Sequence, residues 1–204
     1  MITKFQDGFI TKAKLNELVG AINANSVGLV DINSSILTAD VTKTVGAGGD
    51  FTTLNLAINW CKKVIPNGYK VTLQLMAGFV MAEQILLENL DLGFVTISSV
   101  NAAVMVTSSA ISTVFIDEKP IFGGIDSIMP VIDVYFKLDN IASSNIISGL
   151  NLEGMLSYCK INTGKGFEGL NFRPILCWSG ARVIANGFIA KNCKDGIQAF
   201  DNGE

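Results

Sequence analysis

Apolar and polar positions along this chain fall into three successive rhythms. Between Thr11 and about Ala24, Leu15, Leu18, Val19 and Ile22 recur at three- and four-residue steps, while Lys12, Lys14, Asn16, Glu17 and Asn23 lie mostly opposite. That period predicts a helix with one apolar face, capped at its start by Thr11. A helix this short is marginal alone in water, so the apolar face needs a partner. Residues 25–40 contain Gly28, Asn33, Ser34 and Ser35 and read as a linker with short extended pieces. The second rhythm opens with Val41-Thr42-Lys43-Thr44-Val45, an alternation that favours a strand. After the glycine turn 46–49, Asp50 is the expected cap of a helix from Phe51 to about Val64. Leu54, Ala57, Ile58 and Cys61 fall on one of its faces, and Pro66-Asn67-Gly68 stops it.

From Tyr69 onward the period shortens. Strand-like pieces at 70–76, 94–98, 103–107, 114–116, 131–136, 146–152, 175–178, 182–185 and 196–200 alternate with Gly, Asn, Asp and Ser turns. Many short strands without crossover helices mean a sandwich, a barrel or a solenoid. The C-terminal third favours the last. Residues 179–200 read as three short strands with very short corners, as one coil of a right-handed parallel β-helix requires. Asn162, Asn171, Asn186, Asn192 and Asn202 are available for corners, where Asn tolerates left-handed geometry and can bond to an Asn stacked above. Cys159, Cys177 and Cys193 are separated by 18 and 16 residues, so a coil of about 20 residues would bring them together on successive layers.

Composition narrows the class. Hydrophobic residues make up 49% of the 204 positions and charged residues 16%, with a mean hydropathy of +0.43. No run of about 18 apolar residues exists to span a membrane. The longest candidate, 71–90, is broken by Gln74, Glu83, Gln84 and Glu88, and the first residues lack the apolar run of a secretory signal. Parallel strands buried on both faces account for the apolar excess. The net charge of −3, with no basic run, argues against nucleic acid as a partner. The chain has no histidine, which excludes Ser-His-Asp and Cys-His catalysis and imidazole metal sites. Any catalysis would rest on Asp, Glu, Tyr, Lys or Arg. Cys61, Cys159, Cys177 and Cys193 form no CxxC pair and read as free buried thiols, consistent with synthesis in a reducing compartment. The Gly46-Ala47-Gly48-Gly49-Asp50 cluster lacks the Gly-Lys-Ser/Thr ending of a phosphate loop and has Phe51 where a dinucleotide fingerprint needs its third glycine. It reads as a tight strand-to-helix turn, and no cofactor is expected.

The segment Thr42 to Ile58, followed by Val71-Thr72-Leu73-Gln74-Leu75-Met76-Ala77-Gly78 and Val95-Thr96-Ile97-Ser98, resembles the start of the pectin-lyase-like β-helix of phage tail spikes and tail fibres. Gly78-Phe79 stands where that family often has a Gly-x-Tyr turn. Phe5-Gln6-Asp7-Gly8, with Leu15-Asn16 downstream, is similar to the start of many tail fibre proteins. The resemblance implies a capping strand and helix at 41–66, coils over 69–204, and a virion-attachment and linker segment at 1–40. It further implies a virion tail component made in the host cytoplasm. Its expected partners are two further copies of itself, other tail or baseplate proteins through the N-terminal segment, and host surface polysaccharide. None of its motifs carries a catalytic residue.

Spikes that cleave polysaccharide use paired carboxylates, and such pairs lie about 5–9.5 Å apart. Candidates are Asp117, Glu118, Asp126, Asp133, Asp139, Glu153, Glu168, Asp195 and Asp201. Asp117-Glu118 would point to opposite faces of a strand, and Lys119-Pro120 looks like a corner. Among Tyr135, Phe136, Tyr158, Phe172, Trp178 and Phe188, Trp178 and Tyr158 are the sugar-binding candidates, whereas Phe136 and Phe188 read as core. Lyase chemistry needs a basic residue beside a metal-bound carboxylate; Arg173 and Arg182 are the only arginines, and no acidic cluster marks a metal site. The expected function is attachment of a virion to surface polysaccharide. The alternatives are a polysaccharide depolymerase and a secreted pectin-lyase-like enzyme, the latter weakened by the absent signal. Because 196–200 reads as an ordinary strand with no cap after it, the natural protein is expected to continue with further coils.

Assembly through Leu15, Leu18, Val19 and Ile22, facing a three-fold axis or a socket on the virion, yields a first prediction. Light scattering of the intact chain should return three times the 21.8 kDa of one copy. A monomer would overturn the assignment.

Overall fold

A computed structural model of the protein describes residues 36–139 and 147–200. The expected N-terminal helix with Leu15, Leu18, Val19 and Ile22 lies outside the described residues, as does Asn202. The remainder is a parallel β-solenoid of about five turns. Each turn passes through three sheets. The first stacks β1 (Val41–Val45), β2 (Val71–Leu75), β5 (Val95–Ser99) and β8 (Val131–Asp133). Single bridges Ile128 to Tyr158 and Ile132 to Ile161 continue it into β11 (Tyr158–Lys160) and β14 (Arg182–Ile184). The second stacks β3 (Val80–Met81), β6 (Val104–Val106), β9 (Tyr135–Leu138), β12 (Gly166–Glu168) and β15 (Ile189–Lys191). The third stacks β4 (Ile85–Glu88), β7 (Lys119–Ile125), β10 (Ile147–Glu153), β13 (Phe172–Trp178) and β16 (Ile197–Phe200).

Alternation fixes which side chains enter the core. In β2, Val71, Leu73 and Leu75 are fully buried while Thr72 and Gln74 look outward. Inward residues stack on their own kind across coils. Phe136 and Phe167 are register partners whose rings stack at 5.9 Å with a tilt of 19°. Phe122 meets Phe136 at 5.2 Å and Phe172 meets Phe167 at 5.9 Å. Each buried ring contributes about 1.5–3 kcal/mol. Phe136 is core as expected, and Phe188 is half-buried against the same cluster.

The corner after the third sheet is set by the backbone. Asn89, Asp126, Gly154 and Ser179 each follow a third-sheet strand, and all have positive φ, at 53°, 44°, 95° and 51°. Their amides donate along the stack to Ile125, Glu153, Trp178 and Phe200 carbonyls. Of the asparagines expected at corners, Asn171 and Asn192 are left-handed, at 52° and 56°. Asn162 and Asn186 are not, and Asn192 bonds to Glu168 rather than to another Asn.

The cysteines do not stack. A coil is longer than 16 or 18 residues, because the register partner of Cys159 is Val183 and that of Cys177 is Ala199. All four thiols are free, and three are buried. Burial raises the thiol pKa of Cys61 and Cys177 to about 12 and about 11.

The helix α1 covers the first coil but runs from Leu54 to Cys61, shorter than expected. Asp50 is not its cap. The Asp50 carboxylate accepts from the Thr44 amide and hydroxyl at 2.8 Å and from Lys43 Nζ at 2.9 Å, so it closes the glycine turn instead. Those donors hold its pKa far below the usual carboxylate range. Thr53 caps α1, its hydroxyl accepting from the Leu56 amide at 3.3 Å. The Glu83 carboxylate, carried by the β3–β4 connection, accepts from the Leu54 and Asn55 amides at 2.6 and 3.0 Å. A negative charge there also complements the helix dipole.

Leu54, Ala57, Ile58 and Cys61 are essentially inaccessible beneath the helix. Leu54→Asp would place a charge in this core with no partner, at a cost of several kcal/mol. The variant should aggregate or fail to melt cooperatively. A soluble variant with a wild-type calorimetric transition would show that α1 does not cap the solenoid.

Candidate functional site

The outward side of the third sheet is where unusual chemistry collects. Its central strands β7, β10 and β13 are buried almost throughout, whereas β9 of the second sheet alternates between buried and more exposed residues. The difference comes from residues 107–118, a long connection between β6 and β7 that folds back over the sheet. It begins as a 3₁₀ turn at Ser108–Ala110, whose first amide donates to Asp139 Oδ1 at 2.8 Å. Gln84 then clamps the strap. Its Oε1 accepts from the Ser112 and Thr113 amides, and its Nε2 donates to the Thr113 and Pro120 carbonyls.

The tip is a four-residue turn in which the Phe115 amide donates to the Glu118 carbonyl at 2.7 Å. Its central residues Ile116 and Asp117 both have positive φ, 53° and 59°. That is the geometry of a type I′ turn, which favours Asn and Gly and is strained for a β-branched residue. The corner expected at Lys119-Pro120 therefore lies at Ile116-Asp117, and β7 already begins at Lys119. The expected strand at 114–116 is this turn, with a single bridge between Phe115 and Glu118. The Phe115 ring lies on Gly123 of β7; a Cβ at Gly123 would sit 2.5 Å from it.

Two outward columns run beneath and beside the strap. One holds Leu86, Gly123, Asn151, Leu176 and Gln198; the other holds Glu88, Ile125, Glu153, Trp178 and Phe200. Asn151 is fully buried and joins the two. Its Nδ2 donates to the Phe115 and Ile116 carbonyls at 3.1 and 2.9 Å, and its Oδ1 accepts from Trp178 Nε1 at 2.9 Å. Trp178 is half-buried, and its ring stacks on Phe200 at 4.1 Å with a 14° tilt.

At the other end of the strap, Arg173 of β13 reaches across β10. Nη1 lies 2.5 Å from Glu118 Oε1, and Nε lies 3.3 Å from Asp195 Oδ2. Of the candidate acids, Glu118 and Asp195 are thus brought together on one arginine. Glu118, the last residue of the strap, is only 5% exposed and out of reach of a large substrate. Burial raises its pKa, and the Arg173 charge pulls only partly back. Among the described residues, neither its buried Oε2 nor the buried Ser148 hydroxyl has a hydrogen-bond partner.

The other acids are dispersed. Glu168, on the second sheet, accepts from the Tyr135 hydroxyl at 2.9 Å and from Asn192 at 3.1 Å, and pairs with Lys137 at 3.3 Å. The Tyr135 bond is the main cause of its lowered pKa. Asp126 and Asp91 line an open cleft of about 320 Å³ with Asn89, Leu90, Ile128 and Leu156. Asp133 looks outward from the first sheet, and Asp139 holds the 3₁₀ turn. Asp201 lies outside the described residues.

Of the two sugar-binding candidates, Trp178 belongs to this third-sheet site. Tyr158 looks outward from β11 on the first sheet, with Arg182 as its register partner in the next coil. The two flank the same corner from different sheets. Phe115, Asn151 and Phe200 were not legible as site residues; the available signal was Asn151, a lone amide between Leu150 and Leu152. Among the described residues no three His, Cys, Asp or Glu side chains are placed to hold a metal, and no helix is long and apolar enough to cross a membrane. No family model matches the sequence, and no curated protein matches it.

Trp178→Phe keeps the stack but leaves buried Asn151 Oδ1 without its donor, a loss of about 1–3 kcal/mol. For a chain of this size the melting temperature should fall by several degrees, at about 2–4 °C per kcal/mol. A melt within 1 °C or so of wild type would mean that the indole does not serve Asn151.

Proposed function

We propose that this chain is the virion-proximal part of a phage tail spike or tail fibre and attaches the particle to host surface polysaccharide. Residues 1–40 make the trimeric attachment segment in this reading. The solenoid is the rigid shaft, and its outward columns are the adhesive surface. The resemblance at the glycine turn and first coils supports the reading, as does the parallel solenoid with its helical cap.

One observation carries the choice of polysaccharide. An aromatic pair, Trp178 and Phe200, stands on the outer edge of the third sheet beside Glu153, and Tyr158 lies across the adjoining corner. Apolar rings with a few convergent polar groups are what a sugar ring requires. The burial of Glu118 at the end of the strap favours binding over hydrolysis, because an acid catalyst must reach the glycosidic oxygen.

The test is retention of the purified chain on a panel of bacterial capsules and O-antigens. Wild type should bind at least one, and Trp178→Ala should weaken that binding about tenfold, with a smaller loss for Tyr158→Ala. New reducing ends in the bound polysaccharide would replace this reading with a depolymerase. Failure to bind any member of the panel would count against attachment through this segment.

A further inference from the structure

The corner after the third sheet joins an apolar cleft to charge of a single sign. Glu88 on the first coil and Glu153 on the third share the outward column that ends in Trp178 and Phe200, with Ile125 between them. Asp91 and Asp126 line the cleft of about 320 Å³, whose apolar walls include Leu90, Ile128 and Leu156. Neighbouring strands lie about 4.8 Å apart, so Glu88 and Glu153 are about 10 Å apart along the stack. Ile128 is bridged to Tyr158, which places the cleft between Tyr158 and the aromatic column. Among the described residues none of the four carboxylates is in an ion pair; Lys43, Lys137 and Arg173 pair with other acids. Arg182 stands one coil further on, as the register partner of Tyr158.

Two of the acids are set by the backbone. Asp91 Oδ1 accepts from the Gly93 amide at 2.9 Å, which fixes the side chain at the cleft wall. The Asp126 carboxylate occupies the space that a Cβ at Gly154 would need, and Gly154 has a φ of 95°. Glycine at that corner is what lets Asp126 lie against the next coil.

We propose that this corner selects polysaccharide that carries free amino groups: Asp91 and Asp126 hold ammonium groups, and the cleft and the Trp178–Phe200 stack take apolar ring faces. The assignment rests on the attachment reading above and narrows its ligand. Complementary charge supplies the selection, and the same acids repel sugars that bear carboxylate or phosphate. A calcium ion needs six to eight oxygen ligands, and among the described residues no three acids gather for a metal. A basic peptide fits less well. The corner amides of Asn89, Leu92 and Asp126 already donate along the stack, so no open edge is left there for an added strand. The cleft is at the small end of the range for ligand sites, which suits a sugar ring better than a helix.

Calorimetry on the intact chain with a glucosamine hexasaccharide and its fully N-acetylated counterpart tests this. The two share a backbone and differ in charge. The amine form should bind about tenfold more tightly, and the difference should shrink between about 0.05 and about 0.5 M salt. Asp91→Asn combined with Asp126→Asn should weaken the amine form about threefold to tenfold and leave the acetylated form unchanged. Asn keeps the acceptor for the Gly93 amide and tolerates the left-handed backbone at 126. If that variant does not fold, Glu88→Gln combined with Glu153→Gln should show a loss in the same direction. Equal affinity for the two forms, binding of neither, or a preference that salt leaves intact would overturn the proposal. Hexalysine binding as tightly as the amine hexasaccharide would overturn it too, in favour of a basic peptide. Equal affinity with capsules or O-antigens still retained, and still weakened by Trp178→Ala, would remove the amine selection alone. Loss of all polysaccharide binding would remove the attachment reading with it.

Discussion

The parallel backbone ladder joining each coil to the next is the interaction on which the rest of the structure depends. A single coil encloses too little apolar area to hold together, so each buries its inward residues against the coils on either side. Register then becomes a strict condition. Val71 must face Val95, and Phe136 must face Phe167, or inward side chains would turn to solvent. The left-handed corner at Asn89, Asp126, Gly154 and Ser179 serves that condition, because it returns the chain at the same height in every turn.

Among the described residues, β1 and α1 are what covers the first coil from below. An eight-residue helix contributes little by itself. It is fastened from outside: Glu83 holds its first amides, and Asn55 donates to the Gln84 carbonyl. Gln84, the next residue, clamps the strap. One short connection between β3 and β4 thus secures both the lid over the solenoid end and the cover over its third sheet.

Much of this architecture was legible in the sequence. The alternation in 70–76 and 94–98 marks β2 and β5, and Leu54, Ala57, Ile58 and Cys61 mark the buried face of α1. What was hidden is physically instructive. Lys119-Pro120 looks like a corner, yet it opens the seven-residue strand Lys119–Ile125, whose glycines are Gly123 and Gly124. Its glycines are there for the Phe115 ring and for tight packing on Met129, a tertiary demand that no local pattern records. β4 was lost inside the apolar stretch 71–90, where periodicity cannot separate one strand from the next. Asp50 has the right residue type for a cap, and the competing bonds to Thr44 and Lys43 decided otherwise. The Glu118–Arg173–Asp195 chain joins residues far apart in sequence, and only the stacking of coils reveals it.

That chain has a further consequence, for how the solenoid comes apart. In a stack where each layer touches only its neighbours, layers can fray one at a time from an open end, and unfolding spreads into a series of small steps. Arg173 breaks that simplicity, because it grips Glu118 two layers away, across β10. The strap likewise ties Gln84, on the first layer, to Asn151 on the third. Layers one to four are therefore laced together by contacts that skip a layer. Under heat or a pulling force they should yield as one block, with a single steep transition where an unlaced stack of the same length would show a staircase.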